Sequence, residues 1–585
     1  MPIPSSRLSL SVCVVLSVVL PGAVGSAHSA VDDVPLIEAV KEGNAAVVRA
    51  VLAGQVDVDG SEPDGTTALH WAAHLGDAAS VELLLDAGAD LRATTRNGAT
   101  PYSLAAYKAH AAVLVLLLEA GEDANAVING EPVLMMVARA GNPDAVRALL
   151  LHGADPNVAE PIRGQTPLMH AAAEGNVEAM KVLLYEGSPT TDFRADVDAR
   201  STGPSEKPRI GGRIPRINDP LGLRAHRDPT WAVNMDGWEM SPINWASRQG
   251  HQVAVAELLA AGADVNDPKT DGRTNLILAI ENRHYELAGY LLDQGADPNL
   301  GPGYTALHQI AWTRRLNAKF GPLNPQPTGA LDSFDLVKKI LDKGVDVDAQ
   351  MEISFQDGYR NRMIRIGATA FLLSSKLVDL PMMKLLVEHG ADIQILNRDN
   401  DTPLILATGG STLNPNEDAG TEEEALAAVK YLVEELEFDV NAVNINGETP
   451  MFGPSYRGWN GVARYLANQG AELGAENVLG WTPTTLADGV FFAGFFKAQP
   501  QTATLLREIY RERGLTPPEP PKLNDTSLLT VGSSFARGDI VVEPSQGDYM
   551  KVDSLEGAEF PLLVVTGVDA QGQVSGTEPY DPDGR

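Results

Sequence analysis

The stretch Thr166-Pro167-Leu168-Met169-His170-Ala171-Ala172 is the clearest copy of a short pattern that returns along the chain. Near copies are Thr67-Ala68-Leu69-His70-Trp71-Ala72-Ala73 and Thr305-Ala306-Leu307-His308. Threonine is a good helix cap, proline suits the first helical turn because no amide donor is needed there, and leucine begins an apolar stripe. Each copy therefore predicts the start of a short amphipathic helix.

A second pattern marks the end of a helix. A typical copy is Leu83-Leu84-Leu85-Asp86-Ala87-Gly88, whose glycine can take the left-handed conformation that ends a helix. Gly-Ala-Asp or a close variant recurs in this context, and several consecutive copies are 32 or 33 residues apart. The copies begin at Gly88, Gly121, Gly153, Gly262, Gly295, Gly344, Gly390 and Gly470. This regular spacing predicts an array of small repeated units.

Tight turns are predicted between one unit and the next, because Asp-Gly and Asn-Gly favour the reversal of two short extended segments. These dipeptides stand at Asp64-Gly65, Asn97-Gly98, Asn129-Gly130, Asp271-Gly272 and Asn446-Gly447. Together the patterns resemble the ankyrin-repeat proteins, whose helix opening is Thr-Pro-Leu-His-x-Ala-Ala. The resemblance covers roughly residues 32–514. It implies an all-α repeat solenoid of about twelve helix-turn-helix repeats with β-hairpin loops, in which divergent end repeats act as caps.

Four insertions are expected to interrupt the array, at residues 188–235, 316–328, 351–366 and 411–421. The first is basic, although the whole chain has a net charge of −32. Its basic residues include Arg200, Lys207, Arg209, Arg213, Arg216, Arg224 and Arg227. The insertion either folds back on the acidic surface of the protein or docks an acidic partner. Long loops of this kind are binding elements or wraps that support order, and the sequence leaves both open.

The two ends of the chain differ from the array. Residues 1–27 are typical of an export signal, with Arg7 before a short apolar run and small residues up to a cleavage point after Ala27, or alternatively Ala30. Cys13, the only cysteine, lies in that run, so the mature chain is expected to have no disulfide and no cysteine-ligated zinc. Residues 515–524 are predicted to be a proline-rich linker. Residues 525–585 are predicted to form a small β-rich appendage or a partly ordered acidic tail.

Some segments resemble a narrower group, the exported bacterial ankyrin proteins: Ala306-Leu307-His308-Gln309-Ile310-Ala311-Trp312, Asp357-Gly358-Tyr359-Arg360-Asn361 and Gly420-Thr421-Glu422-Glu423-Glu424-Ala425. This resemblance implies a bacterial source and a periplasmic or extracellular location, and it implies no reaction. The strong negative charge disfavours nucleic acid and anionic membranes as partners. We therefore expect an exported, soluble monomer that has no membrane insertion after signal cleavage.

Motifs for catalysis and cofactors are few. His70 and His74 have a metal-compatible spacing, but Trp71 stands where a zinc protease motif needs glutamate, and His70 occupies the ankyrin position that hydrogen-bonds loop backbone. Gly453-Pro454-Ser455-Tyr456-Arg457-Gly458 lacks the spacing of a nucleophile elbow and is interpreted as a divergent first helix. We predict no catalytic residue, no metal and no cofactor.

The sequence thus predicts a non-enzymatic scaffold that binds a protein through the concave ankyrin face and the insertion loops. Aromatic and arginine side chains dominate binding hot spots, so the candidate contacts are Trp71, Tyr102, Arg209, Arg213 and Arg216. Trp71 fits packing between repeats equally well. The alternative is an exported enzyme or host-directed effector, in which the repeats select substrate and the C-terminal segment or an insertion carries activity.

Overall fold

The computed structural model describes residues 36–186, 194–202, 239–315, 328–353, 363–412, 420–492 and 495–520. It also describes the backbone of four strands near the C-terminus, Ile540–Glu543, Tyr549–Val552, Leu563–Val568 and Val574–Pro579. The predicted export signal and most of the basic insertion, including Arg209, Arg213 and Arg216, lie outside the described residues. The chain divides into two compact units, Met1–Glu122 and Asp123–Arg585, and each is described by itself.

Both units consist of consecutive helix pairs. The first helices of the pairs are α1 (Leu36–Lys41), α3 (Ala68–Leu75), α5 (Pro101–Lys108), α7 (Val133–Ala140), α9 (Pro167–Glu174), α11 (Pro242–Gln249), α13 (Asn275–Glu281), α15 (Ala306–Thr313), α17 (Ala370–Lys376), α19 (Pro403–Ala407), α21 (Phe452–Arg457) and α23 (Pro483–Asp488). The second helices are α2 (Ala45–Leu52), α4 (Ala78–Asp86), α6 (Ala111–Glu119), α8 (Pro143–Leu151), α10 (Val177–Lys181), α12 (Gln252–Ala260), α14 (Tyr285–Asp293), α16 (Ser333–Asp342), α18 (Leu380–Glu388), α20 (Glu422–Lys430), α22 (Asn460–Asn468) and α24 (Pro500–Glu512). One π-helical turn continues α10 over Val182–Glu186, and another continues α20 over Tyr431–Glu435.

The local signals of the sequence place the helix ends as predicted. In α9 the side chain of Thr166 accepts a hydrogen bond from the Met169 amide, and Pro167 occupies the first turn. Gly88 has a φ of 87° and Gly153 a φ of 88°, so both glycines adopt the left-handed conformation. The predicted helix starts and glycine stops are therefore confirmed at these positions.

The turns between units are tight, but most are too short for strands. Asn129-Gly130 joins the strands β1 (Val127–Ile128) and β2 (Glu131–Pro132), which pair antiparallel. At the turn that contains Asp64-Gly65, one isolated bridge between Ser61 and Thr67 takes the place of a strand pair. The predicted reversal of the chain is confirmed, with very little regular sheet.

First helices pack on first helices within each unit, and this stacking continues past the basic insertion. α9 packs directly on α11, although that insertion separates them in the sequence. His251, before α12, donates through Nε2 to the carbonyl oxygen of Ala173 at 3.0 Å. This hydrogen bond satisfies a carbonyl that α9 leaves unpaired at its end. The array therefore passes from α9 to α11 as it does between repeats without an insertion.

Two departures stand near the C-terminal end. β3 (Val490–Phe492) and β4 (Phe495–Lys497) pair antiparallel and separate α23 from α24. Beyond the helices, β5 (Ile540–Glu543) pairs with β6 (Tyr549–Val552), and β7 (Leu563–Val568) pairs with β8 (Val574–Pro579), both antiparallel. No helix in the described part of the chain has both the length and the apolar character needed to cross a membrane.

Candidate protein-binding surface

One position on the first helices decides which of them present a surface. It directly follows the place of the consensus histidine, and it is partly exposed at Trp71, Leu104, His170 and Trp245. These four residues lie on α3, α5, α9 and α11, and we call their exposed sides the open first-helix face. The same position is buried in the helices that follow, at Leu278, Gln309, Leu373 and Leu406. Side chains at this position are therefore accessible to a partner on α3, α5, α9 and α11.

Trp71 is partly exposed but already has partners in the protein. Its indole Nε1 donates to Glu62 Oε2 at 2.9 Å, and the Lys41 ammonium lies 4.8 Å from the ring centroid. The same two side chains form an ion pair at 2.7 Å. Packing of Trp71 between neighbouring repeats, one of the two interpretations made from sequence, is therefore what the structure contains. Its remaining exposed edge is still available for contact.

Tyr102 does not fit its predicted role as an exposed contact. Only 2% of the residue is accessible, and it occupies the position of Leu168 in the clearest copy of the repeat pattern. That position points into the core because it begins the apolar stripe of the helix. The exposed aromatic residue of α5 is instead Tyr107, which is 64% exposed. The sequence signal was present, since five residues along a helix turn a side chain to a different face.

Trp245 is a contact candidate that the sequence analysis missed. It takes the same place in α11 that Trp71 takes in α3, and the Arg248 guanidinium lies 5.7 Å from its ring centroid. Its Nε1 atom is buried and has no hydrogen-bond partner among the residues that the structure describes. A buried indole N–H normally has an acceptor. Trp245 thus combines an aromatic surface, a neighbouring cation and an unused donor.

The basic insertion contacts the array at its described beginning. Arg200 donates to the carbonyl oxygen of Pro268 at 2.8 Å and also pairs with the carboxylate of Asp267. This contact agrees with the interpretation that the insertion folds back on the acidic surface of the protein, for this one arginine. The role of Arg209, Arg213 and Arg216 stays a prediction, because they lie outside the described residues.

The ends of the third insertion are anchored in the core. Met351 and Met363 are buried, and the Arg365 guanidinium stacks over Trp312 of α15 at 4.1 Å from the ring centroid. Both members of this stack are almost fully buried, Arg365 at 4% and Trp312 at 1% exposure. Such contacts support order in the array, so they favour the wrap interpretation for the described ends of this insertion.

The second and fourth insertions begin and end beside each other. Arg315, the last described residue before the second, donates to the Val378 carbonyl at 3.1 Å and pairs with Glu424 just after the fourth. Glu422 accepts a hydrogen bond from the Gly461 amide at the start of α22. The acidic run at the start of α20 therefore has the structural role predicted for it, and it also caps the following repeat.

A half-open cleft lies among the last first helices, near the start of the fourth insertion. Its lining combines apolar and polar residues: Gly409, Gly410, Ser411, Thr412, Glu448, Phe452, Gly453, Tyr456, Asn477, Trp481, Leu486 and Val490. The space open to water centres is about 30 Å³. Since one water needs about 10–15 Å³ in this measure, the cleft has room for two or three waters.

The cleft exists because α19 is short. α19 ends at Ala407 after five residues, whereas α9 continues for eight. After Thr408, Gly409 has a φ of 95° and Ser411 a φ of 58°, so the chain leaves the helical path. A non-glycine residue at such a φ is strained, and strain of this kind concentrates at functional sites. On α21, Gly453 stands where α11 carries Trp245, which leaves the cleft open.

Gly453 permits the close approach of α21 to the end of α19. A Cβ at this position would lie 2.4 Å from the Thr408 carbonyl oxygen and 2.8 Å from the Gly410 nitrogen, both backbone atoms. We expect Gly453→Ala to lower the free energy of unfolding by about 1–3 kcal/mol, since neither backbone can move aside without strain. Urea denaturation measures this. Gly474→Ala is the matched control, because its Cβ would meet only the Tyr510 hydroxyl at 3.5 Å. Equal effects of the two substitutions would contradict the close approach.

Buried polar side chains support the wall of the cleft. Asp401 is fully buried and accepts hydrogen bonds from Asn397 at 3.0 Å, Asn444 at 2.8 Å and Ser411 at 3.2 Å. Lys376 is 2% exposed, and its ammonium donates to the Gly410 carbonyl at 2.7 Å and the Thr412 hydroxyl at 3.1 Å. Satisfied networks of this kind fix one geometry, so the cleft wall is preorganised.

The comparisons with known proteins agree with this architecture. A family model described as "Ankyrin repeats (3 copies)" matches residues 36–128, 103–196 and 223–301. The putative ankyrin repeat protein YahD of Escherichia coli K12 is 30% identical over 184 residues, which is 28% of this chain and 86% of YahD. The chain belongs to the ankyrin-repeat family.

Other relatives share the repeats within different proteins. The human mitochondrial disaggregase is 28% identical over 176 residues, covering 29% of this chain and 24% of that protein. The chain spans only about a quarter to a third of the length of the first curated relatives that it matches. The human ASB11 ankyrin repeat domain, a solved structure, is 23% identical and covers 45% of this chain and 99% of its own, with a TM-score of 0.34.

The ankyrin histidines have the structural role that the sequence predicted. His70 accepts at Nδ1 from the Thr67 amide at 3.2 Å, and its Nε2 donates to the Ala99 carbonyl at 3.0 Å. Burial lowers the pKa of His70, although the two loop carbonyls that it contacts act in the opposite direction. Both ring nitrogens are therefore occupied. The described residues contain no group of three or more side chains able to hold a metal ion.

Proposed function

We propose that this chain is a non-enzymatic scaffold that binds another protein outside the cytoplasm through the open first-helix face of an array of about twelve repeats. Ankyrin repeats imply a protein-interaction scaffold, and this is the coarse function that family membership supports. The observation that supports the site most is Trp245, with Arg248 beside it and its N–H unused. The apolar run of residues 1–27 supports export, and the charge of −32 supports a partner with a basic surface.

A pull-down from an extract of the native source tests binding. The mature chain is used as bait, and bound proteins are identified by mass spectrometry. A second bait lacks residues 188–235. Loss of the partner from this bait supports a docking insertion, whereas unchanged recovery refutes it and assigns recognition to the array. Fractionation of the native cells tests export, since a protein found only in the cytoplasm contradicts it.

Replacing Trp245 is expected to weaken partner binding strongly. Truncation of a central tryptophan in an interface typically costs about 2 kcal/mol or more, which is roughly a thirtyfold loss of affinity. Titration of Trp245→Ala against the recovered partner measures the loss. The control is Val253→Ala on α12, since Val253 is 66% exposed but lies on a second helix. If both variants bind like the unmodified chain while keeping their circular dichroism, the open first-helix face is not the binding surface.

A further inference from the structure

We propose that the cleft between α19, α21 and α23 receives one basic side chain, a lysine or an arginine, of the partner protein. This inference rests on the proposed function and specifies the chemistry of the partner. Glu448 is the only charged side chain among the described lining residues, and it is 6% exposed. A carboxylate accepts several hydrogen bonds at once, so Glu448 can bind a cation in addition to its contacts within the protein.

The walls of the cleft suit a cation as well. Phe452, Tyr456 and Trp481 line it, and aromatic faces attract ammonium and guanidinium groups. Ser411, Thr412 and Asn477 add side-chain oxygen atoms that can accept hydrogen bonds from such a group. Room for two or three waters is about the size of one ammonium or guanidinium group, and it is too small for a whole peptide.

Cations of the protein itself lie behind the walls rather than among the lining residues. The Lys376 ammonium uses hydrogen bonds on Gly410 and Thr412, and the side chain of Arg457 packs beside Gly409 with its guanidinium 3.8 Å from the Trp459 ring centroid. Asp401 holds Ser411 from the same side. These groups roughly balance, so Glu448 and the chain's net charge of −32 decide the sign of the preferred ligand.

The cleft also has the features of a built site. The short α19, the positive φ of Ser411 and the close backbone approach at Gly453 are all local departures from the other repeats. Strain held by a satisfied polar network is typical of a preorganised binding site. The departures occur on first helices, the same set of elements that carries the open first-helix face.

Small probes test this inference without knowledge of the partner. Saturation-transfer NMR is recorded on the full mature chain with Nα-acetyl-lysine amide, the arginine analogue, the neutral norleucine analogue and the glutamate analogue. We expect the two cationic probes to bind and the other two to bind at least tenfold more weakly. Equal binding of norleucine, preference for glutamate, or no binding of either cation at the solubility limit would each overturn the proposal.

A charge-neutral substitution then locates the site. Glu448→Gln should reduce binding of the lysine probe at least tenfold, whereas Glu476→Gln, an exposed glutamate close by in the sequence, should leave it unchanged. Retained binding in Glu448→Gln would refute the assignment. If this variant does not fold, the probe series on the unmodified chain still decides. A failed probe test beside a successful pull-down removes the cleft proposal alone, and a failed pull-down removes the proposed function.

Discussion

Replacing Asp379 by alanine is expected to lower the free energy of unfolding by about 3–5 kcal/mol, the typical cost of breaking a buried ion pair by removing one partner. Asp379 is 1% exposed, and its Oδ2 accepts from Arg314 Nε at 2.8 Å. Its Oδ1 also accepts from the Met382 amide at 3.4 Å and so caps α18. The substitution therefore leaves the Arg314 charge without this partner and a helix start without its cap.

Urea denaturation with hydrogen exchange of α18 measures this effect, since repeats can open locally. Asp379→Asn keeps an oxygen for the cap but removes the charge, so it separates the two contributions. The control is Asp335→Ala, whose ion pair with Lys338 is about half exposed and so contributes little. An Asp379→Ala variant no less stable than the Asp335→Ala control would show that the buried pair does not hold α15 to α18.

Stability is expected to fall as the pH falls from about 6.5 to about 4, because His308 must become protonated. His308 is fully buried, and burial lowers its pKa from 6.5 to about 4. Its Nδ1 accepts from the Thr305 amide at 3.2 Å, and its Nε2 donates to the Ala368 carbonyl at 3.1 Å, which fits the neutral ring. A proton on Nδ1 would face a donor. The unfolded chain binds protons more readily over this pH range, so stability rises with pH there.

The contribution of His308 is about 3 kcal/mol, since each pKa unit corresponds to about 1.4 kcal/mol. The chain itself suggests the matched variant. In α11 the same position is Asn244, whose Oδ1 accepts from the Ser241 amide at 3.1 Å, so His308→Asn can keep the cap without titrating. Unfolding free energies at pH 7.5 and 4 should differ by about 3 kcal/mol less in His308→Asn than in the unmodified chain. An identical pH dependence in both proteins would exclude His308 as the cause.

The fold could be predicted from sequence because its signals are local and repeated. Threonine caps, glycine stops and the leucine stripe act within one helix, so each copy of the pattern fixed its own element. Tyr102 shows where the argument went wrong, because an aromatic residue was chosen for its type rather than for its place in the stripe. Trp245 was missed although it occupies the place of Trp71, and comparing equivalent positions would have found it.

The cleft could not be predicted, because it depends on contacts between different repeats. Gly409-Gly410 in sequence predicts only that a helix ends, and nothing local shows that Gly453 approaches Thr408 from the next repeat. Likewise, Arg314 with Asp379 and Arg315 with Glu424 pair across long separations in the chain. Such pairs follow from stacking, so they become visible only once the repeats are placed beside each other.

Site-specific photo-crosslinking tests the central claim most directly. A photoreactive residue is placed either at Arg248 of α11, beside Trp245, or at Val253 of α12, and each full chain is irradiated in the native extract. Both positions are exposed, but only Arg248 belongs to a first helix of the open first-helix face. We predict a covalent complex with a partner protein from position 248 and none from position 253. Cross-links from 253 alone, or equal cross-links from both positions, would contradict recognition through the open first-helix face.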